Sequence, residues 1–368
     1  MVKLMVYFVR VVFLLFPLIG FGQRIFLEEN VLQKLNKNFK VEEQYIGGLK
    51  SGRPYFEVVV DSLRKDYEIK DAQHFLKVLK DSVTKGQVIY IPNELEIDLT
   101  GKKNIVIPSD ITIIGDRGKK GALGARLFTT DFGVYPLFQV ENDVLIKGIR
   151  IEGCDKEIYY KNIKYEGKDS FNLNRYKNPV STGFHINGNN FYMENCEISG
   201  WTYSGVEVNK QSTGNVFKYN YFHHNRRYGL GYGITVNGGQ ALIVANYFDY
   251  NRHDIAGTGI PGSGYEVYLN VFLSNTHSDS IDMHGGYDRG DKTSIAGDYM
   301  YVYNNYFERI DGKSKAALLR GIPQRESFFE NNYVRIKEKL KKKKYQDINQ
   351  FKQVNARGNI IIKNNFIK

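Results

Sequence analysis

Between Asn190 and Phe366 the chain sets short apolar runs between polar turns, with almost no helical period. Similar segments recur there: ENCEI (Asn195, Cys196), YNYF (Asn220), ANYF (Asn246), LNVF (Asn270), NNYF (Asn305), NNYV (Asn332) and NNFI (Asn365). With Cys196 as the first rung, the steps are 24, 26, 24, 35, 27 and 33 residues. Periods of this length mark a stacked repeat. An Asn inside each turn, beside Val, Ile, Phe or Tyr, suits an all-β, right-handed parallel β-helix whose buried Asn side chains hydrogen-bond along the stack.

A second run recurs in each repeat, usually closed by glycine: FHING (184–188), VEVNK (206–210), ITVNG (234–238), IAGTG (255–259), IDMHG (281–285), LLRG (318–321) and ARG (356–358). Strand alternation turns Phe184/Ile186, Val206/Val208, Ile234/Val236 and Ile281/Met283 inward. Two outward columns remain. One is His185, Glu207, Thr235, Ala256, Asp282 and Leu318; the other is Asn187, Asn209, Asn237, Thr258, His284, Arg320 and Arg357. Their centre is a polar strip holding Asp282, His284 and Arg320.

Upstream, DAQHFLKVLKDSVTKG (71–86) predicts a helix with Asp71 as N-cap, Phe75, Leu76, Leu79 and Val83 on one face, and Gly86 as its stop. Followed by QVIYIP and NIVIPSDITIIGD, it reads as a cap over the first coil. GDRGKKGALGARLF, between two strands, is Gly-rich and basic but lacks the spacing of a phosphate loop. Residues 1–22 predict a signal peptide: a basic start at Lys3 and Arg10, the core VVFLLFPLIGF, and Gly20 and Gly22 for cleavage. The core is too short to span a membrane, so no membrane insertion is expected after cleavage. The division is thus a leader at 1–22, an extension with capping helix at 23–86, and the β-helix at 87–368. The protein is expected to be exported, secreted or periplasmic, and monomeric.

Composition changes this picture in one respect. The 368 residues carry a formal net charge of +11, part of it in KEKLKKKK (337–344), read as a protruding loop. Export argues against nucleic acid and favours an anionic polysaccharide as partner, drawn in by the basic surface. Tyrosine leads the aromatics with 27, and outward ones, Tyr265 among them, could stack on sugar rings. A disulfide between Cys154 and Cys196 is not favoured, since they fall at different positions in their coils.

Candidate chemistry concentrates in Asp249–Arg289, which holds three of the seven histidines (His253, His277, His284) with Asp254, Glu266, Asp279, Asp282, Asp288, Arg252 and Arg289. At IDMHGG and YMYVYNNYFERIDGKSKAALLRG the sequence resembles the pectate-lyase-like β-helix superfamily. An acidic strand, an NNxF strand, a Lys and an Arg before Gly follow in order as Asp282, Asn305–Phe307, Lys315 and Arg320. RGIPQR (320–325) departs from the RxPxxR pattern of pectate lyases, and the WiDH, NTDG and GHG signatures are absent. The resemblance implies a secreted carbohydrate-active β-helix, with Lys315 as a substrate contact, and leaves the substrate open.

Two enzyme readings compete. A lyase needs a base near neutrality, for which His284, His253 and His277 are candidates, and a cation for the uronate carboxylate, for which Arg320 and Arg289 serve. Asp279, Asp282 or Glu266 could bind Ca²⁺ or orient a histidine. Asn237, Asn209 and Glu207 would line the substrate path. A glycoside hydrolase needs two carboxyls about 5–5.5 or 6.5–9.5 Å apart. Glu207 and Asp282, three coils apart at roughly 14 Å, are too distant, whereas Asp282 with Asp254, Asp279 or Glu266 stays possible, on turns that the sequence does not place. The lyase is therefore the leading expectation, with a hydrolase or a non-catalytic glycan-binding β-helix as alternatives and an epimerase as a minor one. His185 reads as a structural partner of Glu207, and Arg226, Arg227 and Arg252 as turn caps.

Overall fold

The computed structural model describes residues 65–155, 179–227, 229–309, 314–336 and 349–367. The leader, the extension up to residue 64 and the lysine run at 341–344 lie outside the described residues. Among the described residues, no helix is long and apolar enough to cross a membrane. The strands form three all-parallel sheets of 11, 9 and 10 strands, visited by the chain in turn. This is a right-handed parallel β-helix.

The NYF-type segments show why the coils stack. Each ladder Asn sends its Nδ2 to the Oδ1 of the next: Asn220 to Asn246 at 3.1 Å, Asn246 to Asn270 at 3.0 Å, Asn270 to Asn305 at 3.1 Å, Asn305 to Asn332 at 3.0 Å and Asn332 to Asn365 at 2.9 Å. The Cys196 N–H opens the series on Asn220 Oδ1 at 2.9 Å. Every residue just before a rung (Asn195, Tyr219, Ala245, Leu269, Asn304, Asn331, Asn364) has positive φ, which makes the sharp turn. Two places further on, Phe222, Phe248, Phe272 and Phe307 stack face to face, with centroids 5.3, 5.0 and 4.6 Å apart. That spacing follows the separation of neighbouring strands.

The predicted helix is present as Ala72–Lys77, continued by a π turn at Val78–Ser82. Asp71 caps it by accepting the His74 N–H at 2.7 Å, and Phe75 packs edge-on against Phe138 of the barrel interior at 6.5 Å. One strand, Tyr67–Glu68, precedes the helix and pairs in parallel with Val88–Tyr90, so the stack starts one strand earlier than alternation predicts. The basic loop is structural. Arg117 is buried, donates to Asn195 Oδ1 at 2.9 Å and pairs with Glu197 at 3.6 Å. Cys154 and Cys196 are both free thiols.

Candidate active site

The nine-stranded sheet carries the polar strip, and its register is the predicted one. His185 pairs with Glu207, Glu207 with Thr235, Thr235 with Ala256, Ala256 with Asp282 and Asp282 with Leu318. The second column follows from backbone bonds one residue past each strand, running Asn187, Asn209, Asn237, Thr258, His284, Arg320. It ends on Val354 in place of Arg357, because the last strand of this sheet is Phe351–Gln353 and the ARG segment lies beyond it.

Asp282 is the hub, with no exposed side-chain surface. The Arg320 Nε donates to its Oδ1 at 2.7 Å. Its Oδ2 lies 3.3 Å from His284 Nε2 and 3.9 Å from His253 Nε2, yet accepts no aligned hydrogen bond. Burial works against ionising Asp282, but the His284 ring and the Arg320 cation outweigh it and hold the carboxyl well below the usual carboxylate range. His284 is the open member of the group at 37 % exposure, and its Nδ1 lies 3.5 Å from Asp288 Oδ2 on the short turn of helix Gly286–Arg289. His253 is 1 % exposed; burial, with the Arg252 charge adding, pushes its imidazole down to about 3. Its Nδ1 faces the Asp279 carbonyl oxygen at 2.6 Å. A carbonyl only accepts, so Nδ1 carries the proton and Nε2 the lone pair. Asp279 is tied down by the Lys315 N–H at 2.6 Å and by Arg320 Nη2 at 3.5 Å, and burial raises its carboxyl.

The other candidates separate into three groups. Glu207 lines the strip as expected, buried and contacted by His185 Nε2 at 3.1 Å, by the Tyr135 hydroxyl at 3.1 Å and by Asn237 Nδ2 at 3.2 Å. Asn209 belongs to an outer amide ladder, donating to Asn187 at 2.6 Å. Lys315 acts through its backbone N–H on Asp279. His277 is exposed on the turn before Asp279, and its backbone N–H donates to the Asn251 carbonyl oxygen at 2.9 Å. Arg289 donates to Asp291 at 2.8 Å and the Ile295 carbonyl within its own loop and, on the preceding coil, to the Thr258 carbonyl.

Two expectations fail. Tyr265 is fully buried and donates its hydroxyl to the Asp282 carbonyl oxygen at 2.9 Å, so it cannot stack on a sugar. Its strand, Gly264–Tyr268, belongs to the eleven-stranded sheet, where Tyr265 and Val267 alternate inward. Glu266 of the same strand therefore faces out on another side of the coil, where the Tyr303 hydroxyl donates to it. Asp279 and Glu266 cannot share a Ca²⁺ ion.

The sequence singled out His253 but not the residues that line the strip beside it. Ser204, Tyr232 and His253 are in register on neighbouring strands, and the Tyr232 and His253 rings stack at 5.8 Å and 3°. Tyr135 meets Tyr203, and Tyr203 meets Tyr232, each edge-on at 5.6 Å. Arg252 Nη1 donates to the Tyr232 hydroxyl at 3.3 Å, so it is more than a turn cap. An aromatic wall thus runs from Tyr135 to His253 beside the column Glu207–Thr235–Ala256–Asp282. The only signal for it was a Tyr or His two residues before inward Ile234 and Ile255, at Tyr232 and His253.

No family model and no curated protein matches the chain. Among solved structures, an alginate lyase from Paenibacillus sp. str. FPU-7 superposes with a TM-score of 0.56 at 16 % identity, covering 82 % of this chain and 94 % of that one. A family 28 exopolygalacturonase from Yersinia enterocolitica covers 81 % of this chain and 75 % of its own at 11 % identity, with a TM-score of 0.41. The first likeness is one of fold.

Proposed function

We propose that the chain is an exported polysaccharide-degrading enzyme that cleaves an acidic, uronate-containing polymer by β-elimination. The observation that carries this reading is the arrangement on Asp282: one buried carboxylate holds a permanent cation, Arg320, and a partly exposed imidazole, His284, side by side on an outward strip. β-Elimination needs those two groups, one to engage the uronate carboxylate and one to move the proton beside it. Hydrolysis needs two carboxyls facing the sugar. Asp282 and Asp254 are both fully buried, Asp254 bound by Asn251 and Thr276 at 3.0 and 2.9 Å; Asp279 is held by the Lys315 N–H and Arg320, and Asp288 lies 3.5 Å from His284 Nδ1. Glu207 stands three strands from Asp282, roughly 14 Å away. The alginate lyase supports the reading by analogy of fold alone.

The test is a reducing-end assay, together with ultraviolet absorbance of the unsaturated product, across a panel of acidic polysaccharides. New ends with absorbance are expected. Ends without absorbance would make the enzyme a hydrolase, and neither signal on any polymer would leave a glycan-binding β-helix. On the substrate found, His284→Ala should lower turnover by about 10²–10⁴-fold. Retention of near-parent turnover would move the proton-transfer role elsewhere.

A further inference from the structure

The groups around Asp282 leave a charge and a lone pair unanswered. Asp279, Asp282 and Asp288 all lie within 4.0 Å of Arg320, and Arg309 adds its charge at Asp279. Such a patch repels an anionic polymer unless another positive charge enters it. Asp282 Oδ2 is wholly buried and accepts no aligned hydrogen bond, with His284 Nε2 at 3.3 Å on its open side, although a buried carboxylate oxygen left so is costly. The nearest group on one side is the Nε2 of His253, whose protonated Nδ1 is committed to the Asp279 carbonyl. Two lone pairs therefore face each other across 3.9 Å in a water-poor site, and the Asp279 carboxylate closes a triangle with all ligand atoms within 4.8 Å. Oxygen lone pairs and an imidazole nitrogen do not attract one another. A cation between them reverses the sign of every one of these contacts.

We infer that His253 Nε2, Asp279 and Asp282 Oδ2 form a binding site for a zinc-class first-row divalent metal ion. One imidazole with two carboxylates favours such an ion over calcium, which prefers an all-oxygen shell. Zinc bonds of about 2.0–2.2 Å span the 3.9 Å gap with a slight closure. The outer contacts are those that orient metal ligands: Nδ1–H of His253 on a backbone carbonyl, and a backbone N–H and Arg320 on Asp279. Three protein ligands leave a fourth position, as catalytic zinc sites do. The site rests on the lyase reading only for its role, which is to offset the negative patch so that a uronate carboxylate can approach beside Arg320.

The experiment uses the full chain, stripped with a chelator, reloaded with zinc, cobalt(II) or calcium, desalted and measured by elemental analysis and titration calorimetry. One zinc per chain is expected, along with visible cobalt(II) absorption that zinc abolishes and calcium does not. Asp279→Asn, at the more open edge, and His253→Ala should each weaken zinc binding by at least about a hundredfold. Should His253→Ala fail to fold, the stoichiometry and cobalt spectrum of the parent and of Asp279→Asn decide. Substoichiometric zinc, calcium displacing cobalt, or unchanged affinity in Asp279→Asn would overturn the site. Polysaccharide assays on the same samples separate the two proposals: zinc bound without cleavage sinks the lyase and keeps the site, and full cleavage by protein that binds no zinc does the reverse.

Discussion

Asp249 shows how single residues here set pH behaviour. It is buried beside Asn275 and the Tyr250 N–H, and burial lifts its carboxyl from its ordinary value of 3.8 to about 6. A raised carboxyl favours the protonated native state, so its contribution to stability falls as pH rises from about 4 to about 6 and stays low above that. The swing is on the order of 2–3 kcal/mol for a shift of about two units. Asp249→Asn should therefore narrow the difference in urea midpoint between pH 4.5 and pH 8. An undiminished difference would place the effect on other groups. Single residues also mark how far the sequence could be read. Alternation placed Glu207, Asp282, His284 and Arg320 correctly, because each follows an inward Val, Ile, Met or Leu in a run of strand period. It misplaced Tyr265 because a strand sequence does not state which of three sheets it joins. Tyr232 and Arg252 escaped because they stand where strands meet turns, and turns carry no period. The pairing of His253 with Asp279 depends on how one turn folds back on another, which no local pattern encodes.

At the scale of one coil, the turn before each rung balances strain against hydrogen bonds. Ala245, at φ 53°, occupies the left-handed region that an L side chain disfavours by about 1–2 kcal/mol. Asn246 next to it donates to Asn270 Oδ1 and to the Phe217 carbonyl while its Oδ1 accepts from Asn220. The two positions should respond in opposite directions. Ala245→Gly should stabilise by about 0.5–1 kcal/mol, since glycine adopts that φ freely. Asn246→Ala should cost about 3 kcal/mol or more, because buried partners above and below lose their contacts at about 1–3 kcal/mol each. Paired urea melts check both; equal and small effects would mean that the ladder is incidental to the turn.

For the molecule as a whole, charge and site pull in different senses: the chain is +11 overall, while the patch around Asp282 is acidic. Long-range attraction to a polyanion belongs to the surface and is screened within about 10 Å at 0.1 M salt. Raising salt should thus raise KM on an acidic polymer with little change in kcat, measured from 0.02 to 0.5 M sodium chloride. A kcat that falls in parallel would put the salt effect in the site itself. The spacing of the rungs carries a different lesson. Most steps between ladder asparagines are 24 to 27 residues, but the step from Asn270 to Asn305 is 35, and Asp279, Asp282, His284 and Asp288 all fall inside it. The two asparagines still meet at 3.1 Å, as if nothing had been added between them. The added length lies mainly beyond His284, on the excursion that carries Asp288, while His253, Asp282, His284 and Arg320 hold their places on three successive coils. A lineage built on this stack could therefore reshape the rim of the strip by rewriting that one excursion and leave the reactive groups where they stand.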